Sequence, residues 1–152
     1  MTLSQILTVE AVRTISAVSN KRRLFETLSQ AAAQAYGLRT KTVYGALMDR
    51  ESLGATGVGQ GVALPHARLT TLEHVVGLFI RLERPLDYGS ADRQPVDLIF
   101  GLFAPTDTGV EHLKAQARVS RMLRNPDLCA KLRANNDPPT LHAILTEPPN
   151  LK

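Results

Sequence analysis

Four of the eight residues from 54 to 61 are glycine, and this cluster constrains the fold more than any other feature of the sequence. Glycine lets the backbone turn sharply and present its N–H groups inward, so such a segment can cradle an anion. The alternative, which glycine content alone favours, is a flexible turn that leads into a strand. Pro65 then fixes the backbone immediately before His66.

The glycine spacing fits neither of two common phosphate-binding loops. A P-loop requires Lys followed by Ser or Thr after its glycines, and that pair is absent. A dinucleotide-binding fingerprint opens a helix, whereas Gly57, Gly59 and Gly61 alternate and lead into a short apolar run that Pro65 stops. His66 is therefore the chemically interesting residue that this segment delivers.

The rest of the chain predicts helices alternating with strands. Helical spacing of apolar residues indicates a helix after Ser19 or Asn20 that ends at Gly37, and a second over 40–52 with Leu53 packed inward. Further helices are predicted over 110–124, 126–133 and 138–145, and strands over 12–15, 75–82 and 96–103. This pattern is typical of an α/β layered domain with a central sheet.

Composition narrows the class of protein. The 152 residues suit one domain, and a net charge of +4, with no basic run longer than residues 21–23, excludes a polybasic tail and disfavours a nucleic-acid surface. The single cysteine, Cys129, cannot form an internal disulfide, lies in a helical pattern and is interpreted as core packing. No stretch reaches the roughly 20 apolar residues of a membrane span. We expect a cytoplasmic protein without membrane insertion.

Four histidines are candidates for chemistry, and two of them stand out. His74 and His142 are interpreted as structural or solvent-facing. Because the histidines lack the close ligand spacing of zinc sites, no metal and no cofactor is predicted. A neutral imidazole at His66 could attack phosphorus and form a labile P–N bond, which suits a reversible carrier. His112 begins a predicted helix, where the positive helix end favours phosphate, although it could equally pack with its helical stripe.

Residues 50–68 contain the pattern Gly-x-Gly-x-Gly-x-x-x-Pro-His, and Glu111-His112-Leu113-Lys114 follows downstream. Together they resemble the fructose/mannitol-type IIA domains of the bacterial phosphotransferase system, most closely the stand-alone nitrogen-regulatory members (IIA-Ntr). The resemblance covers about residues 3–147, which would form the domain, and leaves 148–152 as a short tail. It implies a single domain with a mixed sheet flanked by helices.

The resemblance also implies roles for four residues. His66 matches the histidine that accepts the phosphoryl group on Nε2 from an HPr-like carrier, called NPr in the nitrogen branch. His112 matches the second active-site histidine, Arg50 an arginine that can grip phosphate oxygens, and Thr56 a hydroxyl beside the reactive ring. Ala67-Arg68 stands where nitrogen-regulatory members usually carry Gly-Lys, another small-then-basic pair.

Several functional alternatives follow from the sequence. The first is a phosphorylation-dependent regulator of partners such as potassium transport systems, sensor kinases and nitrogen or carbon metabolism. The others are a sugar-specific IIA that serves a separate IIB, and a binding module without phosphoryl turnover. A basic rim of Arg118, Arg121 and Arg124 could attract an acidic carrier or simply be a solvated helix face. A monomer or weak dimer is expected, with residues 78–80 either a dimer patch or a core strand.

Overall fold

Six helices and six strands follow one another in the computed structural model, which describes residues 2–107 and 109–147. The helices are α1 (Leu3–Ile6), α2 (Lys21–Tyr36), α3 (Thr40–Ser52), α4 (Gly109–Leu123), α5 (Pro126–Arg133) and α6 (Pro138–Thr146). The strands are β1 (Val12–Ile15), β2 (Gly57–Gly59), β3 (Val62–Ala63), β4 (His66–Leu69), β5 (Val76–Leu86) and β6 (Val96–Pro105), and a 3-10 turn spans Val9–Ala11.

All six strands join one mixed sheet, in the order β1-β5-β6-β3-β2, with β4 also paired to β6. β5 and β6 run antiparallel through its centre, while β1 pairs with β5 and β3 with β6 in parallel. Nine of the ten β6 residues are buried, as expected for a strand covered by helices on both faces. The predicted mixed sheet flanked by helices is confirmed.

Pro65 interrupts a single strand that runs along β6. Val62 pairs with Leu98 and His66 with Leu102, so β3 and β4 keep the same register on both sides of the proline. Proline has no N–H to donate to the ladder, which explains the gap. The apolar run predicted to stop at proline therefore continues as a strand, and His66 is its first residue after the interruption.

Local capping explains why most helix ends were predictable. The Asn20 side chain accepts the N–H of Arg23 at the start of α2, and Gly37 closes that helix at a positive φ of 69°. Asn125 caps α5 in the same way by accepting the N–H groups of Asp127 and Leu128. These boundaries agree with the sequence prediction.

Two predictions about apolar residues are decided by burial. The prediction that Leu53 faces inward is wrong, because Leu53 follows the last turn of α3 and is 84% exposed. Leu78, Phe79 and Ile80 are fully buried in β5, so they form core strand and not a dimer patch. The predicted tail at 148–152 lies outside the described residues, and none of the described helices is long and apolar enough to cross a membrane.

Candidate functional site

The two ring nitrogens of His66 have different hydrogen-bond partners. Nδ1 lies 3.0 Å from the carbonyl oxygen of Leu64, and Nε2 lies 3.1 Å from Nε of Arg50. Because a carbonyl only accepts and a guanidinium only donates, Nδ1 carries the proton and Nε2 keeps its lone pair. The site thus holds a neutral imidazole whose nucleophilic nitrogen is Nε2.

Arg50 connects this ring to the turn that precedes the glycine segment. It lies in the last turn of α3, and while its Nε donates to His66, its Nη1 donates to the carbonyl of Gly54 at 2.9 Å. Both bonds use donors of one planar guanidinium, so the ring and the turn are held relative to each other.

His112 faces His66 from the first turn of α4. The two ring centroids are 5.9 Å apart, and His112 is only 5% exposed. Its buried Nδ1 has no hydrogen-bond partner among the described residues. Burial is the main cause that lowers the pKa of His112, and repulsion from Arg68, and from His66 when its ring is protonated, lowers that pKa further. A neutral ring whose buried Nδ1 has no partner among the described residues therefore lies opposite His66.

Thr56 is a buried residue of the cleft, and its polar groups form hydrogen bonds with a carboxylate. Its backbone N–H and its hydroxyl both donate to Glu51, at 3.1 and 2.6 Å, and its hydroxyl also contacts that of Tyr88 at 2.7 Å. Lys21 completes this cluster with an ion pair to Glu51 at 2.7 Å. Burial alone would raise the pKa of Glu51, but hydrogen bonds from Lys21 and Thr56 outweigh it and hold that pKa below its usual value.

An open cleft of about 410 Å³ lies beside His66. Its lining includes Arg50, Thr56 and His66 on one side and Leu113, Gln116, Ala117 and Ser120 of α4 on the other. No Asp or Glu is among the described residues that line it. A concave site with an arginine, a nucleophilic histidine and no carboxylate suits an anionic group.

The glycine segment contributes the edge strand β2 next to the cleft. The loop between β5 and β6 packs against this segment. The side chain of Ser90 occupies the space beside Gly57 where any Cβ would stand, and Asp92 accepts the N–H of Gln60 at 2.9 Å. At Gly61, a φ of 83° and the nearby Arg133 guanidinium both favour glycine. The glycine segment is therefore an ordered edge strand beside the cleft and not a flexible turn.

The structure brings the predicted residues His66, His112 and Arg50 together, and it places Thr56 in the same cleft. Their catalytic roles stay predictions. His74 and His142 are both interpreted from the sequence as structural or solvent-facing. Nε2 of His142 lies 2.8 Å from the carbonyl oxygen of Leu7, and His74 is exposed. Cys129 is buried in α5 and donates to the carbonyl of Leu123, so its interpretation as core packing is confirmed. Among residues 2–107 and 109–147, no cluster of His, Cys, Asp or Glu could hold a metal ion.

Sequence reasoning missed Glu51, Lys21 and Tyr88. Lys21 lies 30 positions before Glu51, and Tyr88 lies 37 positions after it. No short-range pattern links residues so far apart. The one available signal was that Glu51 directly follows the predicted phosphate-gripping Arg50.

Comparison with known proteins identifies the family of this chain. The family model described as "Phosphoenolpyruvate-dependent sugar phosphotransferase system, EIIA 2" matches residues 5–147. The nitrogen regulatory protein of Bradyrhizobium diazoefficiens is 43% identical over 149 residues, which cover 98% of this chain and 97% of that protein.

Two solved structures have a similar fold. The nitrogen regulatory protein IIA-Ntr of Neisseria meningitidis superimposes with a TM-score of 0.88 at 32% identity, and covers 94% of this chain and 98% of its own. The mannitol IIA of Escherichia coli gives a TM-score of 0.76 at 16% identity, with 91% and 97% covered, and supports the fold alone.

Proposed function

Since this chain belongs to the EIIA 2 family of the phosphoenolpyruvate-dependent sugar phosphotransferase system, and to its nitrogen-regulatory type, we propose that it is a regulatory phosphoryl carrier. Nε2 of His66 accepts the phosphoryl group from a phosphorylated HPr-like protein, the NPr of the nitrogen branch. The observation that carries this proposal is the hydrogen-bond asymmetry of the His66 ring, which leaves the Nε2 lone pair free of a proton.

The transfer needs no proton removal from His66. The Nε2 lone pair attacks the phosphorus of the donor phosphohistidine, a new P–N bond forms, and the donor nitrogen keeps the electron pair of the bond that breaks. The proton on Nδ1 stays on the ring, hydrogen-bonded to the carbonyl of Leu64. The phosphorylated ring is then positively charged, which keeps the P–N bond labile enough for onward transfer.

Arg50 and His112 supply the groups that stabilise the transferred phosphoryl group. Once Nε2 bonds to phosphorus it can no longer accept from Arg50, so the guanidinium turns to the phosphoryl oxygens. His112, held neutral by burial, offers a ring N–H to another oxygen. The absence of Asp and Glu from the described lining removes a source of repulsion.

Regulation follows from the charge that phosphorylation adds. A phosphoryl group brings about −1.5 to −2 charges to the cleft, and this changes which partner surfaces fit it. The name of the nitrogen regulatory relatives supports a target in nitrogen regulation. Carbon metabolism, potassium transport systems and sensor kinases are further targets that the sequence resemblance implies. Among the cleft neighbours, Val58 and Leu113 are more than half exposed and offer apolar contact area to such partners.

The test is intact-mass spectrometry at alkaline pH after incubation with phosphoenolpyruvate and the purified general phosphotransferase proteins. We expect one acid-labile phosphoryl group on the wild type and none on His66→Ala, while His74→Ala, at an exposed histidine outside the cleft, serves as the matched control. No added mass with both sugar-type and nitrogen-type donors would overturn the carrier function. Transfer onward to a purified IIB would favour the sugar-specific alternative over the regulator.

A further inference from the structure

Glu51 accepts four hydrogen bonds beside the cleft, yet it is not among the described residues that line the cleft. Its side chain is 7% exposed, and both carboxylate oxygens are used. Oε2 accepts from Nζ of Lys21 at 2.7 Å and from the N–H of Thr56 at 3.1 Å. Oε1 accepts from the Thr56 hydroxyl at 2.6 Å and from Tyr88 at 3.3 Å.

A continuous series of hydrogen bonds leads from this carboxylate to the reactive ring. Glu51 fixes Thr56 through its backbone and its hydroxyl. The carbonyl of Thr56 accepts the N–H of Leu64 at 3.0 Å, and the carbonyl of Leu64 in turn accepts Nδ1–H of His66 at 3.0 Å. Each contact fixes the next group, so the orientation of the Leu64 carbonyl depends on Glu51.

We propose that Glu51 is a positioning residue for the phosphoryl transfer: through Thr56 and Leu64 it holds His66 in the tautomer whose Nε2 is nucleophilic. Glu51 lies next to Arg50 at the end of α3, so the same carboxylate also fixes the helix turn that carries the guanidinium. The role in transfer depends on the carrier function proposed above, whereas the effect on the ring does not.

Lys21 compensates the negative charge of Glu51. Without this compensation, a carboxylate near the cleft would repel an incoming phosphoryl group. The Lys21 ammonium group neutralises Glu51 and lies 4.2 Å from the centre of the Tyr88 ring. The pair is partly buried, with 28% of the Lys21 side chain and 7% of the Glu51 side chain exposed. Removing one partner leaves a poorly solvated charge without compensation, whereas removing both partners does not. Lys21 is thus required because Glu51 is present.

Four variants test this. Glu51→Gln keeps the shape but cannot accept from all four donors. We expect phosphorylation of His66 to slow about tenfold, at the lower end of the loss that follows removal of the outer partner of a metal-ligating histidine. Lys21→Met should slow it at least as much, and the double variant should be faster than Lys21→Met. Glu26→Gln is the matched control, because Glu26 pairs with Arg23 on the exposed face of α2.

The decisive readout is the ¹⁵N NMR spectrum of the His66 ring, which distinguishes a proton on Nδ1 from one on Nε2. We expect mainly Nδ1–H in the wild type and in Glu26→Gln, and a mixture of tautomers in Glu51→Gln. Urea unfolding checks that each variant is folded, and the double variant replaces Glu51→Gln if that protein does not fold. A wild-type ring spectrum in folded Glu51→Gln would overturn the proposal whatever the rate of phosphorylation, and a double variant slower than Lys21→Met would overturn the part assigned to Lys21.

The two proposals fail in different ways. If the wild type takes up no phosphoryl group, the carrier function is wrong, and the ring spectra of wild type and Glu51→Gln still decide whether Glu51 positions His66. If the wild type is phosphorylated but the variant spectra are unchanged, the positioning role alone is wrong.

Discussion

Arg50 touches both the reactive nitrogen of His66 and the carbonyl of Gly54, so its replacement tests the phosphate-gripping role directly. Loss of one preorganised donor to a developing oxyanion typically slows a reaction by about 100-fold or more. We expect that loss in Arg50→Met, and a smaller one in Arg50→Lys, because lysine offers a point charge without the planar fork. Initial rates of phosphorylation measure it, and a wild-type rate in Arg50→Met would exclude the role.

The lowered pKa of His112 predicts how the free energy of unfolding depends on pH. Burial first, and then Arg68 and His66, lower its pKa in the folded protein below the ordinary value of 6.5. The unfolded chain therefore binds more protons as pH falls through 6.5, and the stability present above that value is lost toward the folded-state pKa. We expect the free energy of unfolding to fall less between about pH 7 and about pH 5 in His112→Asn than in the wild type. Urea unfolding at both pH values tests this, and equal slopes would contradict it.

The edge strand β2 depends on the absence of a side chain at Gly57. A Cβ there would lie 2.8 Å from Cβ of Ser90 and closer still to its hydroxyl. Gly57→Ala should destabilise the fold by about 1–3 kcal/mol, the usual cost of overpacking. Gly45→Ala is the control, because Gly45 lies inside α3 with nothing within 4 Å of the added Cβ, and should stabilise by about 0.5–1 kcal/mol. Thermal unfolding compares them, and equal shifts would refute the close fit between Gly57 and Ser90.

The same elements show which parts of the fold can be predicted from sequence. Helices α2 and α5 were predictable because Asn20 and Asn125 cap them through bonds to residues two or three positions away. The strand β2 was not, since it exists only through pairing with β3, which in turn pairs with β6 far along the chain. The prediction for Leu53 failed because the helical spacing of apolar residues in the sequence continues beyond Ser52, where α3 ends.

The residues of the candidate site also differ in how far they could be predicted from the sequence. Arg50 and His66 were found because they flank one glycine-rich segment with an unusual pattern, and His112 because its helix follows at the expected place in the family. The supporting cluster of Lys21, Glu51 and Tyr88 assembles only when α2, α3 and the loop after β5 meet. Residues that act through others carry no local signature, and the folded molecule is needed to find them.

At the scale of the whole molecule, α4 and the turn directly after it place two arginines near the cleft. Leu113, Ala117 and Arg121 follow one another at four-residue spacing, and so do Gln116, Ser120 and Arg124. Residues four apart lie on the same side of a helix, so Arg121 in the last turn of α4 continues one stripe that lines the cleft, and Arg124, the first residue after α4, follows the other. Both are exposed. This favours the rim interpretation of these two residues over that of a merely solvated helix face.

A rim of this kind should speed the approach of an acidic phosphoryl donor, and the acceleration should disappear with salt. Charge steering raises association rates by about tenfold or more at low ionic strength, and screening removes it. We therefore expect Arg121→Glu/Arg124→Glu to slow phosphorylation about tenfold at low salt and to approach the wild-type rate at high salt. The control is Arg39→Glu/Lys41→Glu, which changes the net charge equally but lies at the opposite end of α3 from Arg50, about 14 to 16 Å away by helix rise. Because screened steering depends more on where the charge lies than on its total, the control should lose less rate at low salt and show a weaker salt dependence than Arg121→Glu/Arg124→Glu. Stopped-flow or quenched phosphorylation over a series of salt concentrations measures both, and identical salt slopes for the two double variants would show that α4 has no special part in donor approach.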